Sequence, residues 1–500
     1  ALLPTMGGQT GLNLAIALHE SGMLEKYNVE VVGASIEAIR LAEDRGEFKR
    51  VVAGIGLESP RSAMTNSVQG ARDFSKEVGL PVVLRPSFTL GGQGGSIAYT
   101  AEDLDILMER ALDESPVHEC LIEESLIGWK EFEMEVMRDQ ADNAVIICSI
   151  ENIDPMGVHT GDSITVAPIQ TLSDDEYQIM RTASLEVLRA IGIDCGGSNV
   201  QFAVDPANGR MVVIEMNPRV SRSSALASKA TGFPIARCAA KLAIGYTLDE
   251  IVNEITGKTV SCFEPSLDYC AVKVPRFELE KFPQAYDTLG TQMKSVGESL
   301  ALGRTFLEAL NKAIRAAEMG YEGINELNIG YNGLDNMLNT LHPLRFFATY
   351  TVLKREGERS LNTLYEKTGF DPWFLSQLLD QIKLEDTIAA EDLSPKLLLE
   401  AKRGGMSDKR IAQLKRVSPA DIEKERIDNG IEACFHFVDT CAGEFTADTP
   451  YFYSTYGEIN EGKPPEGDAV IILASGPNRI GQGLEFDTCC TLASLSYRKQ

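Results

Sequence analysis

The chain has 500 residues, 44% hydrophobic and 24% charged, which suits about three domains with real cores. A formal charge of −26, from 47 Lys+Arg against 73 Asp+Glu, argues against a general binder of nucleic acid, although a small anion needs only local cations. No apolar run approaches the ~18 residues of a membrane span and no signal peptide is visible. The ten scattered cysteines include no CxxC pair and read as reduced core thiols, with the cytoplasm the natural compartment.

Residues 1–35 read as the tail of an α/β unit. A strand-like Ala1–Pro4 leads through Gly7 and Gly8 to a helix with Leu12, Ile16, His19 and Met23 on one face, then to a strand at Val29–Val32. His19, one of only five histidines, reads as structural. A helix is expected around Ser35–Phe48, carrying Arg45. Strands at Pro81–Arg85 and Ser96–Tyr99 then flank the glycine-rich Thr89–Gly95. Such a loop can lay backbone N–H groups on phosphates, or be no more than an exposed turn.

In Trp129–Val136, Glu131, Glu133 and Glu135 alternate with Phe132, Met134 and Val136. That spacing puts three carboxylates on one strand face about 7 Å apart, either as a solvated outer face or relieved by water, metal or arginine. A strand at Ala144–Ile150, a loop at Met156–Asp162 and a helix opened by the capping pair Ser173 and Glu176 follow. Tyr177, Met180, Val187 and Ile191 mark the buried side of that helix. Runs at 198–204 and 211–217, separated by a Pro/Asn/Gly turn, predict a β-hairpin with Gln201 opposite Glu215. Strict alternation would give Glu215 and Asn217 one face and Ile214 and Met216 the other. One carboxylate and two amides beside Arg219 make a cluster of hard oxygen donors suited to Mg²⁺ carrying phosphates. The competing reading is a half-exposed hairpin with a polar outer face. Residues 221–245 are expected to be helical, broken at Gly232 and Pro234.

From about Met319 the pattern turns helical, with one start at Asp371–Trp373 and another helix at Ser407–Leu414. A helix-turn-helix within 397–426 is conceivable, but Asp421, Glu423 and Glu425 offset its basic residues, and helical packing is the default. A linker at Gly457–Asp468 precedes a strand at Ala469–Leu473 and a glycine loop at Gly476–Gly483. Both chain ends look cut, and the expectation is a slice of a longer polypeptide.

Together these pieces are a phosphate-loop hairpin, an acidic hinge strand and a metal-bearing hairpin. Their order and wording closely resemble the large subunit of carbamoyl-phosphate synthase, an ATP-grasp enzyme. The match runs through RPSF at Arg85, GGQGG at Gly91, ESLIGWKE at Glu124, HTGDS at His159, EMNPRVSRSSA at Glu215 and TCAGE at Thr440. The resemblance implies an α/β ATP-grasp fold: a partial Rossmann-like pre-ATP-grasp segment (1–35), a carboxyphosphate-forming domain (36–318), an all-α oligomerisation domain (319–457), and a linker with the start of a second Rossmann-like half (458–500). Position 158 is Val where Ile is familiar, and the GGQGG tip is a polar variation.

Carried over by position, Arg45 and Arg85 would meet nucleotide phosphates, with Gly91 and Gly92 covering them. Glu124, Leu126 and Glu131 would hold adenine and ribose, and Gly157, Val158 and His159 would line the pocket. Gln201, Glu215 and Asn217 would hold two Mg²⁺ or Mn²⁺ ions, K⁺ being a further candidate. Arg219, Arg222 and Asn217 would serve bicarbonate and its developing charge. The implied reaction is ATP-dependent formation of carboxyphosphate and then carbamate, for pyrimidine and arginine synthesis. Ammonia would come from a glutaminase small subunit, and the helical domain would form a homo-oligomer. A biotin-carboxylase-like enzyme would share the metal hairpin but not the helical domain followed by a second start loop. A silent assembly module is the third reading.

Overall fold

Short alternating segments build a small antiparallel sheet from Ser62–Thr65 (β1), Val82–Pro86 (β2), Ser96–Ala98 (β3) and Cys120–Glu124 (β4), in the order β1-β4-β2-β3. The computed structural model describes residues 1–86, 95–282, 288–473, 476–483 and 488–499. The Val68–Val78 and Ala101–Glu114 helices pack on this sheet around Ala71, Leu84, Leu104, Met108 and Ile122. β2 and β3 pair antiparallel, Val82 facing Ala98, so the expected hairpin exists. Gly91 and Gly92 lie outside the described residues.

A larger antiparallel sheet follows. Lys130–Arg138 (β5), Ala144–Asn152 (β6), Thr165–Ala167 (β7), Gly196–Val204 (β8), Met211–Asn217 (β9), Cys270–Arg276 (β10) and Gly297–Gly303 (β11) run in the order β11-β10-β7-β6-β5-β8-β9. One face buries Phe132, Met134, Val136, Val200 and Phe202 against the Ile36–Glu43, Arg45–Gly54 and Asp174–Ile191 helices. The last of these opens with the expected capping box, Ser173 N donating to Glu176 Oε2 at 2.8 Å. The opposite face is covered at one end by the Arg222–Thr231 and Ile235–Leu242 helices, through Met137, Ile147, Leu226 and Ala227. The rest of that face fronts the candidate site.

The helical region grows out of the sheet without a break in the core. Val272 and Val274 of β10 pack against Phe306, Leu310 and Ile314, and these against Phe346, Tyr350, Phe374 and Leu378. Four basic side chains of 397–426 find partners within the protein: Lys402 on Asp408, Lys409 on Glu322, Arg410 on Glu385, and Lys415 on the Glu391 carbonyl. These side chains tie the helices to one another. Among the described residues no helix is long and apolar enough to cross a membrane.

Several expectations fail locally. The Ser35–Phe48 helix is two helices, because Asp44 leaves helical geometry at ψ 113° and its carboxylate caps the second by accepting from Glu47 N at 2.9 Å. His19 and Met23 are exposed, leaving Leu12, Ala15 and Leu24 to face inward. Val29–Val32 contributes only a bridge between Leu2 and Val31. Ala469–Leu473 is not a strand; among the described residues none pairs with it, and Val470, Ile471 and Leu473 stand exposed. A strand's N–H and C=O groups need a partner before extended backbone becomes a sheet. Late in the helical region a two-stranded hairpin also appears, Cys434–Phe437 with Phe452–Thr455.

Candidate active site

Strand periodicity sets the site. The odd-numbered glutamates of β5 face away from the helix-covered core, yet Glu131, Glu133 and Glu135 are only 5%, 2% and 1% exposed. The solvated-outer-face reading therefore fails. Protein donors reach two members of the row. Glu133 accepts from Thr160 Oγ1 (2.5 Å) and Asn199 Nδ2 (2.9 Å). Glu135 accepts from Asn199 Nδ2 (3.0 Å) and Ser224 Oγ (2.9 Å). Burial still pushes Glu135 up to about 7 against those hydrogen bonds. Burial, then the like charges of Glu133 and Glu215, push Glu131 well above the ordinary carboxylate range.

The hairpin adds the next column. Gln201 stands opposite both Glu133 of β5 and Glu215 of β9, and Asn199 opposite Glu135 and Asn217. The three expected metal-binding side chains thus share the carboxylate face. The alternation is broken at one point, however. A register shift beside Gln201 leaves Ile214 as an extra residue, so it packs with Leu126, Ala203, Val212, Trp129 and Met156 instead of sharing the Met216 face. An apolar cluster of Leu126, Trp129, Met156, Ala203, Val212 and Ile214 therefore adjoins Gln201 and Glu215.

That cluster lies at the hinge between the sheets. Met156 N donates to Trp129 O (2.8 Å) and Gly128 N to Met156 O (3.1 Å), joining the hinge to the loop that carries Gly157, Val158 and His159. Gly157 sits at φ +119°, which only glycine adopts freely, and Val158 is buried. His159 Nδ1 accepts from Gly161 N (2.9 Å), so the neutral ring carries its proton on Nε2. Burial lowers its pKa, with Asp162 opposing.

Glu124 ends β4 at the hinge. Its carboxylate is taken by Arg61 Nε (2.8 Å) and both Nη atoms of Arg210 (3.1 and 2.9 Å). Burial opposes its ionisation, but those bonds hold it down at about 2. Arg85 donates to Glu123 (2.5 Å), which also binds Lys49 (2.5 Å). Arg45 heads its helix within electrostatic reach of Arg85, Glu123 and Glu215. At the far end Arg219 Nη2 donates to Asn217 Oδ1 (3.2 Å), and its buried Nε has no partner among the described residues. Arg222 starts its helix and donates to Met293 Sδ (2.6 Å).

Lys273 was missed by the sequence reading. It is buried on β10, donates to the carbonyls of Thr160 (3.0 Å) and Gly161 (3.4 Å), and faces Glu131 and Glu133 electrostatically. A single lysine between Val272 and Val274 in a core strand was the available signal. Asn199 was missed too, as the polar member of an apolar run. Among the described residues no three His, Cys, Asp or Glu side chains cluster as a metal site; the hard donors on this face include the Glu215 carboxylate and the amide oxygens of Gln201 and Asn217. Those hard oxygens fit Mg²⁺ or Mn²⁺.

Comparison with known proteins identifies the family. Residues 1–41 match the carbamoyl phosphate synthase preATP-grasp domain, 44–251 the carbamoyl-phosphate synthase L chain ATP binding domain, and 298–430 the carbamoyl-phosphate synthetase large chain oligomerisation domain. The chain is 54% identical over 504 residues to the carbamoyl phosphate synthase large chain of Pasteurella multocida, covering 100% of this chain and 47% of that one. It is 52% identical over 518 residues to that of Archaeoglobus fulgidus, again covering 100% and 47%. The chain thus spans about half the length of the curated relatives it matches. Among solved structures, the biotin carboxylase–βγ-ATP complex from Campylobacter jejuni aligns over 71% of this chain and 79% of that one, at 16% identity and a TM-score of 0.49. The fold is α/β ATP-grasp, and the chain belongs to the carbamoyl-phosphate synthase large-chain family.

Proposed function

We propose that this chain binds ATP between its two sheets and transfers the terminal phosphoryl group to bicarbonate, giving carboxyphosphate that ammonia converts to carbamate. The observation that carries this reading is the register of Gln201 opposite Glu215, on the face that also holds Glu131 and Glu133. Phosphoryl transfer between two anions needs positioning and charge neutralisation rather than a covalent nucleophile. Leu126, Trp129, Met156 and Ile214 would sandwich the base. Arg45 and Arg85 would take phosphate oxygens, Arg85 by exchanging its bond to Glu123 for the ligand. Arg219, whose guanidinium is only partly satisfied, would hold bicarbonate with Arg222 beside it. Held by Gln201, Glu215 and Asn217, two Mg²⁺ or Mn²⁺ ions would supply Lewis-acid neutralisation of the phosphates. The 153–164 loop would keep water from the reactive product.

The reading extends to the whole assembly. A glutaminase partner would supply ammonia, a second half would phosphorylate carbamate, the helical domain (319–457) would pair copies of the chain, and the cytoplasm would house it. K⁺ is a further candidate ion. The domain limits proposed are 1–35, 36–318, 319–457 and 458–500.

The test is ADP release by the intact protein with and without bicarbonate, for wild type and Glu215→Gln. Bicarbonate is expected to stimulate turnover, and the substitution to remove about a hundredfold or more of it. Turnover indifferent to bicarbonate would overturn the carboxyphosphate assignment. No turnover at all would favour an assembly module.

A further inference from the structure

The helical region touches the hinge at three points. Residues 153–164 form a loop with a closed neck: Ile153 N donates to Ile164 O (2.9 Å), while Ser163 Oγ accepts from Asp154 N and donates to Asp154 Oδ2 (3.1 Å each). Arg345, first residue of the Arg345–Glu356 helix, enters this neck. Its Nε and Nη2 donate to Asp154 Oδ1 at 3.0 and 2.7 Å, and its guanidinium lies 4.9 Å from the Phe370 ring centroid. Arg345 and Asp154 are both buried. The second contact is steric: Gly369, at φ +69°, lies so close to Pro155 that an added Cβ would come within 2.9 Å of its Cγ. The third is an ion pair at 3.0 Å between Asp371 and Lys130, the first residue of β5.

These contacts land on both segments that leave the hinge. Asp154 and Pro155 precede Met156, whose backbone pairs with Trp129 and Gly128; Lys130 follows them directly. A shift of the helical region is therefore transmitted to the apolar cluster and to His159 with little slack, because packed interiors move as units. We propose that Arg345 is a positioning residue for the nucleotide pocket, fixing the 153–164 loop against the hinge so that the helical region sets the pocket's shape. The inference rests on the reading of that cluster as a nucleotide site. It gives the helical region a second role, besides any role in assembly, as the wall that holds the base-binding loop.

A purely structural ion pair would change stability without selective effect on nucleotide binding. The experiment uses the intact protein and compares wild type with Arg345→Ala, Arg345→Lys and Asp371→Asn. It measures calorimetric binding of Mg²⁺–ADP, the ATP KM and kcat of bicarbonate-dependent ATP cleavage, and the thermal midpoint. Asn at 371 keeps the cap on Trp373 N, now an accepted bond at 2.8 Å, but loses the charge facing Lys130. Arg345→Ala is expected to weaken Mg²⁺–ADP and raise ATP KM about tenfold with kcat within about twofold, Asp371→Asn to do so about threefold, and Arg345→Lys to recover part of the loss. Should Arg345→Ala fail to fold, the other two variants decide the matter. Unchanged Mg²⁺–ADP affinity and KM in folded variants, or a fall in kcat at constant KM, would overturn the role of Arg345. A wild type that binds no Mg²⁺–ADP would instead overturn the nucleotide-site reading.

Discussion

Gln201 lies opposite Glu215 across β8 and β9, and the bulge at that step turns Ile214 to the same side of the sheet as Glu215. Adjacent residues thus serve neighbouring needs, one apolar and one anionic. Ile214→Ala should raise the ATP KM by about tenfold, because it removes three carbons of apolar contact worth about 0.8 kcal/mol each, part of which solvent retains. The rate at saturating ATP should hardly move. Steady-state kinetics in the intact protein checks this; a fall in kcat at constant KM would mean that Ile214 does not touch the base.

Acid should loosen the seam between β4 and the hairpin turn. Glu124 titrates at about 2 instead of the ordinary 4.5, because Arg210 and Arg61 hold its carboxylate against the cost of burial. A depressed carboxyl contributes stability fully above its unfolded pKa and loses it as pH falls through the window from about 4.5 to about 2. Glu124→Gln lacks that contribution at every pH. The gap in thermal midpoint between wild type and variant should therefore be widest near neutrality and close as pH drops below about 4.

Deep in the helical region, Glu385 is fully buried and accepts from Tyr350 Oη (2.7 Å), Gln381 Nε2 (3.2 Å), and Arg410 Nε and Nη2 (3.0 and 2.7 Å). Removing one partner of a buried ion pair strands the other without solvent. Glu385→Ala should cost about 3–5 kcal/mol, visible as an early urea transition of the helical region. Replacing Glu385 and Arg410 together by Leu and Met should recover much of that loss.

Lys273→Met tests the cation facing the acidic strand. It removes the charge seated between Val272 and Val274 and takes the Lys273 donor from the Thr160 carbonyl, while Gly161 O keeps its bond from Ser295 Oγ. Destabilisation of about 3 kcal/mol is expected, together with a loss of ATP cleavage larger than that of any surface lysine variant. A variant as stable and active as wild type would remove Lys273 from the site.

Much of this arrangement was legible from residue order. The alternation of Glu131, Glu133 and Glu135 fixed their common face. The hairpin was legible too, but its turn sets Val204 against Met211, a register that would face Gln201 with Ile214, and it is the bulge that brings Gln201 to Glu215. The capping pair Ser173 and Glu176 and the break at Gly232 also read through directly. What escaped has physical reasons. A bulge demands no special residue, so nothing in the run 211–217 marked Ile214 as the extra one. Asp44 looks like any helical acid until its side chain is seen capping the next helix. Lys273 meets the glutamates from more than a hundred residues away, across strands that local pattern cannot order. The segment Ala469–Leu473 has strand composition but no strand partner among the described residues, and composition alone does not make a sheet.

Lys273 has a consequence for how the protein matures. Its ammonium is already tied to loop carbonyls, and Thr160, Asn199 and Ser224 already occupy the acidic row. The protein's own donors therefore support this row, unlike the sites of small zinc modules that collapse when stripped of metal. Chelators are therefore expected to leave the melting curve of the nucleotide-free protein where it was, so that its stability is set by side chains and not by metal.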